Sequence, residues 1–147
     1  MKPVLKVKRV NARAALLPQY QTEHAAGLDL AAAIETPLEI LPMGRTAVPT
    51  GIALEIPPGF EGQVRPRSGR ALGEGLGLIN SPGTIDADFR GEIKVLLVNL
   101  GNAPVAIRPG DRIAQLVIAP VVRAEIVEVA ELAPSSRGGG GFGHTGR

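Results

Sequence analysis

Proline and glycine interrupt this chain so often that a long helix has nowhere to form. Among 147 residues there are 19 Gly and 13 Pro. A glycine loses the most backbone entropy on ordering, and a proline has no amide hydrogen to donate. Pro42, Pro57-Pro58-Gly59, Pro66, Pro82-Gly83 and Pro109-Gly110 each fall between short apolar runs, as turns between strands do. No segment keeps the helical apolar period of about 3.6 residues between caps. Only 68–72 offers a helical turn or two. Alternating or continuous apolar runs predict strands at 4–10, 27–32, 38–41, 46–56, 62–65, 92–99, 104–107, 112–118 and 124–129. Many short strands at such spacing predict an all-β fold, a distorted barrel or jelly-roll-like sandwich. The length suits one domain with one core.

Composition narrows the chemistry. Hydrophobic residues make up 44% of the chain but aromatics only 3%, so Val, Ile, Leu and Ala must fill the core. Tyr20, Phe60, Phe89 and Phe142 are the only aromatic residues, and each invites a specific task. There is no Cys, which excludes disulfides and thiolate metal sites. A formal charge of +2 is compatible with an anionic ligand and does not indicate a polynucleotide partner. No apolar run reaches the roughly 18 residues of a membrane span. The first residues alternate apolar and basic without the apolar stretch of a signal peptide, so the expected location is cytoplasmic, with no membrane partner.

Five segments carry residues with chemical possibilities. In Ala26-Gly-Leu-Asp29-Leu30 a carboxylate sits inside an apolar strand, either at an exposed edge or paired with a cation. Arg65-Pro-Arg67-Ser68-Gly69-Arg70 offers guanidinium, hydroxyl and free amides, a combination suited to phosphate, although lone surface arginines are common. Asn80-Ser-Pro-Gly-Thr84-Ile85-Asp86-Ala-Asp88-Phe89-Arg90-Gly91 reads as a hairpin around a Pro-Gly turn. There Asn80 can read a base edge, and two carboxylates beside an aromatic can hold a water and a sugar; a solvated acidic turn is the plainer reading. Gly110-Asp-Arg-Ile-Ala-Gln115-Leu places a polar Gln in an apolar strand, where it needs a partner. The end, Arg137-Gly-Gly-Gly-Gly-Phe142-Gly-His144-Thr145-Gly-Arg147, is too rich in glycine for helix or strand. Alone it fits a linker; its aromatic, arginines and hydroxyl also fit a flap that orders over a nucleotide.

Taken together and in this order, these segments resemble the five motifs of the trimeric dUTPase family, over about Ala26 to Gly146. Each is weak alone; jointly they are specific. The resemblance implies a β-clip, jelly-roll-like body over 1–133 and a flexible flap over 134–147. It implies a homotrimer with sites at subunit interfaces, dUTP as substrate, Mg²⁺ as cofactor, and dUMP and pyrophosphate as products. By position, Asp86 is the expected general base for water attacking the α-phosphorus. Arg67, Ser68 and Gly69 are expected on the phosphates. Asn80 and the backbone of Thr84, Ile85 and Asp86 are expected on uracil, with Lys94 beside the base and Phe89 on the deoxyribose. Asp29 and Gln115 are expected to help hold the waters of Mg²⁺. Arg137 and Thr145 are expected at the γ-phosphate and Phe142 on the uracil face. Two positions depart from the family pattern: Phe89 stands where Tyr is usual, and His144 where Ser is usual.

Two competing readings differ in testable features. A dCTP deaminase shares the fold but needs a catalytic Glu near the hairpin and an Arg-Ser-Ser type motif, where this chain has Asp86 and Arg67-Ser68-Gly69. A binding protein that kept the fold has no need of a base at position 86.

Overall fold

The structure is a computed structural model and describes residues 2–11 and 16–146. Among the described residues eleven strands and one short helix run in the order β1 (Lys6–Arg9), β2 (Gln19–Tyr20), β3 (Gly27–Ala31), β4 (Leu38–Ile40), β5 (Arg45–Glu55), β6 (Phe60–Arg65), α1 (Ser68–Glu74), β7 (Leu76–Leu78), β8 (Gly83–Ile85), β9 (Glu92–Asn99), β10 (Val105–Ile107) and β11 (Arg112–Pro120). A four-stranded sheet has the order β1-β5-β9-β7, a five-stranded sheet the order β2-β3-β11-β6-β8, and β10 pairs with β4. The fold is all-β and jelly-roll-like, as the turn spacing predicts. Alternation along the strands sends one face of each sheet inward. Leu30, Ile52, Leu54, Leu97, Ile107, Ile113 and Leu116 are fully buried between the sheets. No helix among the described residues is long and apolar enough to cross a membrane.

Two irregularities decide which side chains face outward. The β11–β3 register shifts between Arg112 and Ala114, leaving Ile113 as the extra residue. Arg112 and Gln115 are three apart and would face opposite sides of a regular strand; the bulge brings them to the same side. The β5–β9 register shifts between Pro49 and Ala53. The Thr50 hydroxyl there donates to the Ile93 carbonyl at 2.6 Å, and the Gly51 amide donates to Glu92 Oε1 at 3.0 Å. Pro49 is tolerated inside a sheet because it stands at this irregularity. Asn99, a fully buried polar side chain of the core, donates to the carbonyls of Ile40 and Ala103 at 2.8 Å each and accepts from Gly101 N at 2.9 Å. It ties the end of β9 to the loops around β4 and β10.

Two expectations about the backbone need correction. The segment around Pro82-Gly83 is not a two-strand hairpin. β7 pairs with β9 in one sheet, and β8 pairs with β6 in the other. The connection from Leu78 to Gly83, which includes a cis Ser81–Pro82 bond, crosses from sheet to sheet. Nor is there a strand at 124–129. The last ladder ends at Pro120, Val121 N donates to Gly59 O at 2.9 Å, and no strand follows among the described residues. Val122, Ile126 and Leu132 there are almost fully exposed. Strand propensity needs a neighbouring edge to bond, and this segment pairs with none of the sheet edges described.

Candidate active site

The sheet-to-sheet crossing opens a cavity of about 270 Å³. Its apolar wall comes from Val64 on β6, Leu78 on β7, Ile85 on β8 and Ile93 and Leu96 on β9. Its polar rim carries Asn80, Thr84, Asp86, Glu92 and Lys94, with Phe89 at the mouth. The 86–90 segment is turned by a bond from Phe89 N to Asp86 O at 3.1 Å. Arg90 closes it by donating to the carbonyls of Ala87 and Phe89 at 2.7 and 3.1 Å. All six residues expected around base and sugar, namely Asn80, Thr84, Ile85, Asp86, Phe89 and Lys94, meet in this cavity.

A second cavity, of about 560 Å³, lies between β3, β11 and the start of α1. Asp29, Arg67, Ser68, Gly69 and Gln115 all line it. Asp29 is set in β3 with its side chain only 14% exposed, and two guanidiniums reach it. Arg112 donates to Oδ2 at 3.0 Å, and Arg67 Nε stands 3.4 Å from Oδ1. Arg67 also donates to the Arg112 carbonyl at 3.3 Å. The carboxylate therefore gathers two cations on one wall, and a semi-buried charge with partners on both oxygens is electrostatically sound. Gln115 finds the partner its apolar strand required, donating from Nε2 to the Pro66 carbonyl at 3.1 Å. Its Oε1 lies against Gly27, where an added Cβ would push the end of the Gln115 side chain aside.

The second cavity also holds Arg70, whose motif is suited to phosphate but which has no individual role in the sequence reading, and Arg112 and Gln21, and the first holds Glu92, none of which the sequence reading picks out. Arg112 was masked by strand alternation, which the bulge at Ile113 overrides. The tail residues join neither cavity. Phe142 is fully exposed with a positive φ of 51°, Arg137 Nε donates to Gly140 O at 2.7 Å, and Thr145 is exposed. Arg147 lies outside the described residues.

Mg²⁺ takes hard oxygen donors and keeps much of its water. Among the described residues no three His, Asp or Glu side chains form a metal cage. Asp29 and Gln115 supply hard oxygens in the second cavity, and each Asp29 oxygen has a lone pair beyond its guanidinium contact. These residues fit a hydrated Mg²⁺ carried by an anionic ligand, and not a cage that holds the bare ion.

Known proteins of similar sequence and fold show the family. The dUTPase family model matches residues 13–146. A deoxyuridine 5'-triphosphate nucleotidohydrolase of Anaeromyxobacter sp. (strain Fw109-5) is 60% identical over 149 residues, covering 100% of both chains. One from Aquifex aeolicus is 62% identical over 146 residues, covering 99% of this chain and 97% of the other. Among solved structures, the dUTPase of Staphylococcus bacteriophage 80alpha with dUpNHpp superposes with a TM-score of 0.89 at 27% identity, covering 98% of this chain and 99% of that one. The fold and these relatives place the protein among nucleotide hydrolases. Within them, the chain belongs to the dUTPase family, and it is an enzyme, a dUTP nucleotidohydrolase.

Proposed function

We propose that the two cavities and the tail are parts of one catalytic unit that several copies of the chain complete together, and that the assembly is a homotrimer. One observation carries this reading. The expected base and sugar residues share one cavity, the expected phosphate residues share another, and the two have no lining residue in common. A single triphosphate needs both sets, so the phosphate wall of one copy is paired with the base cavity of the next. The stretch 121–133, with Val122, Ile126 and Leu132 exposed, supports association, because such a segment gains burial only against another chain.

In this unit uracil enters the first cavity. Asn80 and the backbone of Thr84 to Asp86 bond its edge, Lys94 lies beside it, and Phe89 packs on the deoxyribose. Arg67, Ser68 and Gly69 of the second cavity hold the phosphates, Ser68 near the oxygen bridging the α and β phosphorus atoms. Asp86 accepts a proton from water as the water oxygen bonds to the α-phosphorus. The bond from that phosphorus to the bridging oxygen breaks, and pyrophosphate leaves with the electron pair. Asp29 and Gln115 would hold the waters of a Mg²⁺ ion, which when bound would supply charge neutralisation to the triphosphate. Residues 134–147 form a flap: Arg137 and Thr145 reach the γ-phosphate and Phe142 stacks on uracil. The flap excludes bulk water and fixes the triphosphate, which is most of what phosphoryl transfer requires. The dUpNHpp held by the phage relative supports a triphosphate ligand of this size.

The test is to incubate the full chain with Mg²⁺ and each dNTP in turn and to measure pyrophosphate. Release from dUTP alone is the expected result. Ammonia from dCTP, or equal release from dTTP, would overturn the assignment of the first cavity.

A further inference from the structure

Helix α1 follows directly on Arg67, yet nothing apolar holds it down. It has seven residues, none of them buried, and Leu72 is 92% exposed. A helix this short is not stable alone in water. Its far end is fastened by Gly75, in the left-handed region at φ 72°. The Gly75 carbonyl accepts from Leu100 N at 2.9 Å, and a Cβ at Gly75 would come within 2.5 Å of Gly101 N. The near end depends on Arg70, whose side chain is 19% exposed.

Every nitrogen of that guanidinium faces a protein oxygen. Nε donates to Glu74 Oε2 at 2.5 Å, and one terminal nitrogen donates to Glu74 Oε1 and to the Ala106 carbonyl of β10, both at 3.1 Å. The other stands 3.6 Å from Asp111 Oδ2. Asp111 Oδ2 also accepts from Arg108 N at 2.9 Å, and the Asp111 carbonyl accepts from Ala32 N at 2.8 Å beyond the end of β3. The Glu74 carboxylate bonded to it raises the Arg70 pKa above its ordinary value. One fork-shaped cation thus joins α1, β10 and the turn that starts β11.

We infer that Arg70 is a positioning residue for phosphate handling: it pins α1 so that Arg67, Ser68 and Gly69 face the second cavity in a fixed geometry. This rests on the reading of those three residues as the phosphate grip. Arg70 also lines the cavity, but Nε and one terminal nitrogen are hydrogen-bonded and the other faces the Asp111 carboxylate, so it acts through the helix and not on the phosphates.

The test compares Arg70→Met, Arg70→Lys and Glu74→Gln with the parent, and uses Arg67→Ala as the control for the underlying reading. Three quantities are measured: kcat/KM for dUTP with Mg²⁺, affinity for dUMP, and amide hydrogen exchange over 68–74. Arg70→Met should lower kcat/KM about ten- to a hundredfold, as a small misplacement of a positioning group does. It should speed exchange in α1 and leave dUMP affinity within about twofold. Arg70→Lys should recover only part, because an ammonium cannot reach all its partners at once. Glu74→Gln should act in the same direction with a smaller size, and it decides the matter if Arg70→Met does not fold. A kcat/KM within about threefold of the parent for Arg70→Met overturns the inference. So does a fall in kcat/KM without faster exchange, which would mean direct phosphate contact, or an equal loss for dUMP and dUTP. If Arg67→Ala keeps parental kinetics, the phosphate reading itself is wrong. If Arg67→Ala is impaired while Arg70→Met is not, only the role of Arg70 is lost.

Discussion

The cavity at the sheet crossing is walled by Val64, Leu78 and Ile93, all buried, and by strand backbone. The cavity beside Asp29 is walled by guanidiniums, a carboxylate and the first turn of a helix that buries nothing. The first is stiff because its walls are also the hydrophobic core, whose packing resists any change of volume. The second keeps its shape through ion pairs and hydrogen bonds among Asp29, Arg67, Arg112, Gln115 and Pro66. A flat, nearly neutral base is best selected by shape and a few backbone bonds, whereas a triphosphate is best held by charge. The two proposed tasks thus rest on different forces and should fail separately under mutation.

Asp86 joins the two tasks, since it lines the base cavity and is assigned to chemistry at phosphorus. Asp86→Asn should therefore lower turnover by about 10²–10⁴ while nucleotide binding stays close to parental, measured by steady-state kinetics and calorimetry. Turnover within about threefold of the parent would remove Asp86 from the role of base.

The tail belongs to neither cavity, and truncation after Ser136 asks whether it is a third part. The shortened protein should melt as the parent does and still bind dUMP, but lose most dUTP turnover. Base–aromatic stacking by Phe142 alone is worth about 1–3 kcal/mol. In refolded mixed trimers with full-length Asp86→Asn subunits, activity should return, because one subunit's tail can serve another's intact base. Verified mixed trimers that stay inactive would confine the tail to its own subunit or dismiss it.

Asp29→Asn and Ile93→Ala set the cavities directly against each other. Loss of the carboxylate between Arg67 and Arg112 removes charge-assisted bonds of about 1.5–3 kcal/mol, so kcat/KM should fall at least about tenfold with dUMP affinity unchanged. Ile93→Ala should instead lower thermal stability, costing about 2–5 kcal/mol. If Asp29→Asn weakens dUMP as much as dUTP, the two cavities are not energetically separate.

Sugar choice sharpens the first cavity. On the proposed packing of Phe89 against the deoxyribose, the 2′-hydroxyl of UTP would be buried without a partner, at about 1–3 kcal/mol or roughly 5- to 150-fold in specificity constant. Equal constants for UTP and dUTP would end that account of Phe89.

The smallest effect is in acid. The Arg70 guanidinium bonded to Glu74 holds the Glu74 carboxyl below the usual carboxylate range, and Lys6 does the same for Glu55. A carboxylate with a lowered folded pKa contributes stability above its unfolded value and loses it as pH falls through the folded one. Both groups are exposed to solvent, so the contribution is small. Melting temperature should decline a little more steeply below about pH 4.5 for the parent than for Glu74→Gln. Parallel curves would show that the Arg70–Glu74 bond adds nothing to stability.

Much of this was legible beforehand. Alternation and turn residues located β9 at its observed bounds and most other strands to within a residue or two, because side-chain period and backbone punctuation are local properties. The motifs likewise sorted residue types by chemistry, as with Asn80 for an edge of donors and acceptors and Arg67 for an anion. Pairing partners were not legible. That β7 bonds β9 while β8 bonds β6 depends on ladders between segments distant in sequence, and this alone opens the first cavity. The bulge at Ile113, which turns Arg112 to the side of Gln115, is a register event with no signal in alternation. The run at 124–129 has the composition of a strand and forms none, since a strand exists only where an edge accepts its hydrogen bonds. Residue types with the needed chemistry, and the places where the chain must turn, follow from local sequence alone. Which of those residues share a cavity follows from the fold, because hydrogen-bond ladders and ion pairs are made between segments far apart in the chain.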